Sequence, residues 1–153
     1  MGQFPVISVS FKGVEGTNYL NAIKTFISKI GKHYARFDFL KNSTKVPSEL
    51  KNNFADRFTF CWDDTNDFRD DAVLSRAELI VANFLPDLAY MLYREFERKV
   101  IIIIDEYDVP LQKSVAAEEP YYNEMLAFFK QLCVNTFKGC TYKSLVVGGN
   151  ANF

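Results

Sequence analysis

The chain has 153 residues, 48% of them hydrophobic and 24% charged, with a formal net charge of −1. That length fits one domain, and that composition is ordinary globular material, too apolar for a disordered chain. The balanced charge argues against nucleic-acid binding through bulk electrostatics, and no apolar run approaches the ~20 residues of a membrane span. The N-terminus lacks the charged-then-apolar layout of a signal peptide. Cys61, Cys133 and Cys140 are odd in number and show no metal-type spacing, as expected of small buried hydrophobes in a reducing, cytoplasmic compartment. Residues up to Phe54 carry eight basic and three acidic side chains, an imbalance that reads as solvated helix faces. Fifteen Phe and eight Tyr exceed what a core of this size needs and point to surface meant for other parts of a protein.

The first element is a strand over Phe4–Phe11, where Val6, Ile7 and Val9 alternate with Ser8 and Ser10 and Pro5 can stand only at the start. Thr17 or Asn18 can cap the helix that follows, in which Tyr19, Ile23, Phe26, Ile27, Ile30, Tyr34 and Phe37 recur at a 3.6-residue period, with Gly31 as a weak point. His33, the only histidine, reads as an exposed residue of this helix beside Lys29, Lys32 and Arg36, with no acid or Cys to make it catalytic. From Lys41 to Asp71 the period is poor. Pro47-Ser48-Glu49-Leu50 can start a short helix, and Phe58, Phe60 and Trp62 alternate like a brief extended piece or a tucked aromatic loop. Asp63-Asp64-Thr65-Asn66-Asp67 is a turn without the Gly and terminal Glu of a calcium loop. Asp70 or Asp71 opens a long helical pattern through Phe96, with a kink or restart expected at Pro86 and Asn83 as the new cap.

Lys99 to Pro110 is the stretch around which the rest is arranged. Val100-Ile101-Ile102-Ile103-Ile104 does not alternate, so it predicts a strand buried on both faces in the middle of a parallel sheet. Asp105 and Glu106 close it, at the strand end where open parallel sheets bind ligands. Aliphatics ending in Asp-Glu form the Walker B pattern of nucleotide hydrolases, in which the Asp holds Mg²⁺ and the Glu takes a proton from the attacking water. Lys113–Glu119 reads as a polar loop, Pro120 starts a helix ended by Gly139, and Tyr142–Gly148 is a last aliphatic strand. Strands alternating with helices predict an α/β fold, a three-layer, mostly parallel sheet with flanking helices.

Ile104-Asp105-Glu106-Tyr107-Asp108-Val109-Pro110-Leu111 resembles the predicted AAA-ATPase-like family of the P-loop superfamily. Phe4–Phe11, Tyr121–Met125 and Ser144–Gly149 resemble its early strand, the helix after Walker B and the next strand, so the likeness covers nearly the whole chain. It implies a domain that binds ATP with Mg²⁺ and hydrolyses it. Asp105 is then the Mg²⁺-side acid and Glu106 the catalytic base. Tyr107, Asp108 and Pro110 match the motif without a derived role, and Asn150 is a weak candidate for a γ-phosphate sensor. It also implies the strand order last, central, first.

No Gly-x-x-x-x-Gly-Lys-Ser/Thr phosphate cradle occurs in the sequence: Gly13, Gly16, Gly31 and Gly148 all lack the spacing or the Lys. Residues 1–153 are therefore expected to be a single partial domain, the Walker B portion of a P-loop core, which binds neither ATP nor Mg²⁺ tightly by itself. Its expected partners are the remainder of its own ATPase domain, or other protein chains, through a bare sheet edge at Leu145-Val146-Val147; neither a membrane nor nucleic acid is indicated. The rival expectation is a non-enzymatic interaction module whose acids are relics.

Overall fold

The computed structural model describes residues 3–14, 18–110, 119–138 and 143–148. The elements run β1 (Val6–Ser10), α1 (Tyr19–Arg36), α2 (Ser48–Trp62), α3 (Asp71–Phe96), β2 (Val100–Asp105), α4 (Glu119–Phe137) and β3 (Lys143–Gly148), with a 3₁₀ turn at Asp38–Asn42. The strands pair in parallel in the expected order, β2 in the middle. Val6 faces Ile101 and Ser10 faces Asp105 on one side of β2, while Val100 faces Lys143 and Asp105 faces Gly148 on the other.

The expected fold class is corrected. Helices of 18, 15, 26 and 19 residues outweigh strands of five, six and six, so the described chain is mostly helical rather than a three-layer sheet core. Nor is β2 buried on both faces. Val100, Ile102 and Ile104 are buried, but Ile101 and Ile103 are only half-buried, and in β1 Ile7 and Val9 are buried while Val6, Ser8 and Ser10 are exposed. The β-branched run reports strand preference; among the described residues only one face of β1 and β2 is fully covered. That covered face joins one core with α1, α3 and α4, where the Phe11 ring meets Phe26 and Phe129 edge-on at centroid distances of 5.1 and 5.6 Å.

Two of the expected N-caps are where the sequence puts them. Asn18 Oδ1 accepts from Asn21 N at 3.0 Å and Asp70 Oδ1 from Ala72 N at 2.8 Å. Gly31 is buried in α1 where α2 crosses: a Cβ there would lie 3.1 Å from the Cys61 Cβ. The region from Lys41 to Asp71 differs from expectation, because Phe58, Phe60 and Trp62 belong to the 15-residue α2 and not to an extended piece. Its inner stripe is Leu50, Phe54, Arg57 and Cys61, a helical spacing hidden by a charged member whose Nη1 pairs with Asp87 of α3 at 2.5 Å.

Pro86 neither breaks α3 nor restarts it, and Asn83 is no cap, since its amide donates to Leu79 O at 2.9 Å within the same helix. A helical proline has no N–H for the carbonyl four residues back. That carbonyl belongs to Ala82, and it accepts instead from Asn135 Nδ2 of α4 at 3.3 Å. The proline is tolerated because the next helix supplies the missing donor. In α4 the buried residues are Tyr121, Met125, Phe128, Phe129, Leu132 and Thr136, while Cys133 is exposed and not the buried hydrophobe expected. Cys61 is half-buried, and burial pushes its thiol up to about 12. No helix among the described residues is long and apolar enough to cross a membrane. Residues 111–118, Gly139, Cys140 and Asn150 lie outside the described residues, and with them most of the polar loop, the expected cap, one cysteine and the sensor candidate.

Candidate functional site

The parallel register brings Ser10, Asp105 and the backbone of Gly148 to one end of the sheet. The Asp105 main chain is held from the β1 side, where Phe11 N donates to its carbonyl at 3.0 Å, and its side chain is exposed. Glu106 then leaves the strand with φ 52°, in the left-handed region. A residue with a side chain pays of order 1–3 kcal/mol for such a backbone. Two hydrogen bonds hold the turn: Glu106 N donates to Asp105 Oδ1 at 2.9 Å, and Val109 N donates to the Glu106 carbonyl at 3.2 Å. Consecutive carboxylates are thereby set at the end of the central strand, one exposed and one half-buried. Tyr107 is 41% exposed, Asp108 is half-buried, and Pro110 is buried as the chain enters a helical turn.

The residues at this end suit Mg²⁺ in one mode only. Among the described residues no three His, Cys, Asp or Glu side chains gather as a cage. Asp105 spends Oδ1 on the Glu106 amide and keeps its second oxygen for a cation or its water shell. Mg²⁺ is commonly held by one or two carboxylates together with substrate phosphates, and that donor set is compatible with Asp105. The acid-rich turn before α3 is spoken for, because Asp63 Oδ1 accepts from Thr65 N and Oγ1 at 2.9 and 2.6 Å. Asp67 is held at about 2 by its hydrogen bonds from Arg69. Asp87, which with Pro86 and Glu97-Arg98-Lys99 imitates a nuclease signature, sits on α3 facing Arg57.

A second feature was not foreseen. Lys29, Lys32, His33 and Arg36 of α1 border a groove of about 260 Å³ with Ser8 and Ser10 of β1. The spacing 29, 32, 33, 36 puts all four on one helix face, and Ser8 and Ser10 share one strand face; the sequence holds both patterns but not their meeting. His33 is half-buried rather than exposed, its ring centroid 6.4 Å from that of Phe84. Burial first, then Arg36 and Lys29, lower its pKa to about 4, so it is neutral at pH 7, and its buried Nδ1 has no partner. The Lys29 ammonium is lowered by burial and by Lys32, with Glu106 close enough to oppose them. Beside Tyr107, an apolar cavity of about 250 Å³ lies among Phe11, Ile104, Phe129, Leu132, Cys133 and Thr136. Another depression, about 650 Å³ around Tyr19, Glu78 and Glu124, has neither Asp105 nor Glu106 among its lining residues.

Compared with known proteins, the chain matches the family model described as Predicted AAA-ATPase over residues 1–145. No curated protein and no solved structure matches it.

Proposed function

This chain belongs to the predicted AAA-ATPase family, and from that premise we propose that it is the Walker B portion of an ATP-binding and ATP-hydrolysing domain. The observation that carries this reading is the strand-end turn itself, a central aliphatic strand ending in Asp105 with Glu106 fixed in a left-handed turn beside it. Asp105 is the Mg²⁺-side acid, its free carboxylate oxygen the one available for a hydrated cation. Mg²⁺, when bound, neutralises charge on the transferring phosphates. Glu106 orients the attacking water and accepts its proton. Tyr107, Asp108 and Pro110 shape the exit from the strand.

Positioning and charge stabilisation dominate phosphoryl transfer, so a base without a phosphate cradle gives no useful turnover. The isolated 153 residues, which contain no Gly-x-x-x-x-Gly-Lys-Ser/Thr, are therefore not an ATPase by themselves. That same missing pattern favours the second reading, an interaction module that keeps the acids without the chemistry. The two separate in a parent protein that carries the phosphate loop. There Glu106→Gln is expected to keep Mg·ATP binding and to slow hydrolysis by roughly 10²–10⁴-fold, while Asp105→Ala weakens Mg²⁺-dependent binding. Single-turnover hydrolysis at the parental rate in Glu106→Gln would remove the catalytic assignment.

A further inference from the structure

We propose that the groove between β1 and α1 binds phosphate-bearing small anions, with Lys29, Lys32 and Arg36 forming one wall and the Ser8 and Ser10 hydroxyls the floor. This groove adjoins the strand-end acids, since Ser10 faces Asp105 in the register and Glu106 lies near Lys29, but it does not depend on the ATPase reading. Three observations converge on it. The groove is lined by three cationic side chains, two hydroxyls and an imidazole, with no carboxylate among its lining residues. Among the described residues Lys29, Lys32 and Arg36 are in no ion pair, and neither are Lys24 and other exposed cations, but these three converge on one groove. The third is His33, at the groove wall with a buried, unpartnered Nδ1. Three like charges around a half-buried imidazole, with Glu106 acting on Lys29 alone, are mutually unfavourable, and an anion between Lys32 and Arg36 would relieve them.

The dimensions select the ligand class. Lys29 to Arg36 spans about 10 Å of helix, and Ser8 and Ser10 stand about 7 Å apart on one strand face. With a volume of about 260 Å³, the groove suits two or three linked phosphates. A nucleic-acid backbone would call for a longer basic track and a chain with a net positive field, and this chain carries −1. Charge-assisted hydrogen bonds from ammonium, guanidinium and hydroxyl groups are the chemistry that recognises such phosphates. They can belong to inorganic pyrophosphate or to a nucleoside polyphosphate. Glu106, near Lys29, repels the anion from that end and directs it toward Lys32 and Arg36.

His33 is the only histidine, so its ring protons give single lines in a proton NMR spectrum. The folded chain is titrated at pH 7 in phosphate-free, Mg²⁺-free buffer with pyrophosphate, with ATP and with a single-stranded oligonucleotide. A saturable shift of the His33 line by pyrophosphate, with a Kd of about 1 mM or below, is expected. Equal affinity for ATP means that the phosphates alone are read, and tighter ATP binding means that the nucleoside adds contacts; both support the site. Lys32→Glu with Arg36→Glu, both exposed positions, should weaken binding by roughly tenfold or more. Lys24→Glu, exposed on the same helix but outside the groove, should leave it unchanged. A His33 line unmoved by millimolar pyrophosphate, an equal loss in Lys24→Glu, or a response to the oligonucleotide alone would overturn the proposal.

Discussion

On one side of β1 and β2, Ile7, Val9, Val100, Ile102 and Ile104 are buried in the helical core; on the other, Val6, Ser8 and Ser10 are exposed and Ile101 and Ile103 half-buried. The strands are the same and the residues are one step apart, so the difference lies in what is packed against each face. The covered face carries the burial energy, roughly 1.5–3 kcal/mol for each fully buried aliphatic side chain. The other face contributes little to folding, and its Ser pair is left to line the basic groove.

The largest test of this asymmetry is a pair of truncations in β2. Ile102→Ala should cost about 2–5 kcal/mol, as buried Ile-to-Ala changes do, whereas Ile103→Ala, half-buried, should cost about 1 kcal/mol. Urea unfolding of both variants decides, and equal losses would mean that the second face is covered in solution.

The next test lies in the helical layer. Asn135→Leu strands the Ala82 carbonyl and should cost about 1–3 kcal/mol. In a Pro86→Ala background the restored N–H serves that carbonyl, so the same change should cost less there. A double-mutant cycle with no coupling would show that the Asn135 bond is idle.

His33, between core and groove, yields a pH effect. Its folded pKa of about 4 lies below the ordinary 6.5, so the unfolded chain binds its proton more readily. The neutral form's contribution to stability is complete above pH 6.5 and is lost as pH falls toward 4. Arg36 and Lys29 from α1 oppose the charging of the imidazole, Lys32 lines the same groove, Phe84 of α3 packs against the ring, and Ser8 and Ser10 of β1 are uncharged. His33→Gln should flatten that part of the stability profile in urea melts across the range, and an unchanged slope would refute the assignment. The smallest expected effect belongs to Ser8→Ala, within about 0.5 kcal/mol by thermal melting.

How far all this could be read in advance depends on how local each signal is. Asn18, Asp70 and the run of Val100–Ile104 act within a turn or a strand, and the caps and the strand were legible from them, while the strand order followed from the family resemblance. The position of Asp105 and Glu106 at the end of the central strand was legible because the pattern is contiguous. The fold class was misread because β-branching sets strand preference without stating how many helix layers arrive. The α2 stripe was hidden because Arg57 occupies an inner position with Asp87 as its partner. Pro86 looked like a break because its remedy, Asn135, lies 49 positions downstream (135 less 86). The groove needed two elements to meet.

Under the catalytic role proposed for Glu106, its left-handed turn sets folding and chemistry against each other at one codon. Glycine adopts that backbone without the side-chain penalty, and asparagine tolerates it better than glutamate. A library randomised at this position and sorted only for heat resistance should therefore drift toward glycine or asparagine, gaining melting temperature while discarding the carboxylate. A library sorted for nucleotide turnover in a parent with a phosphate loop should hold glutamate and accept the cooler melt. The divergence of the two pools would measure, residue by residue, how much thermal stability this turn gives up to keep an acid at the strand end.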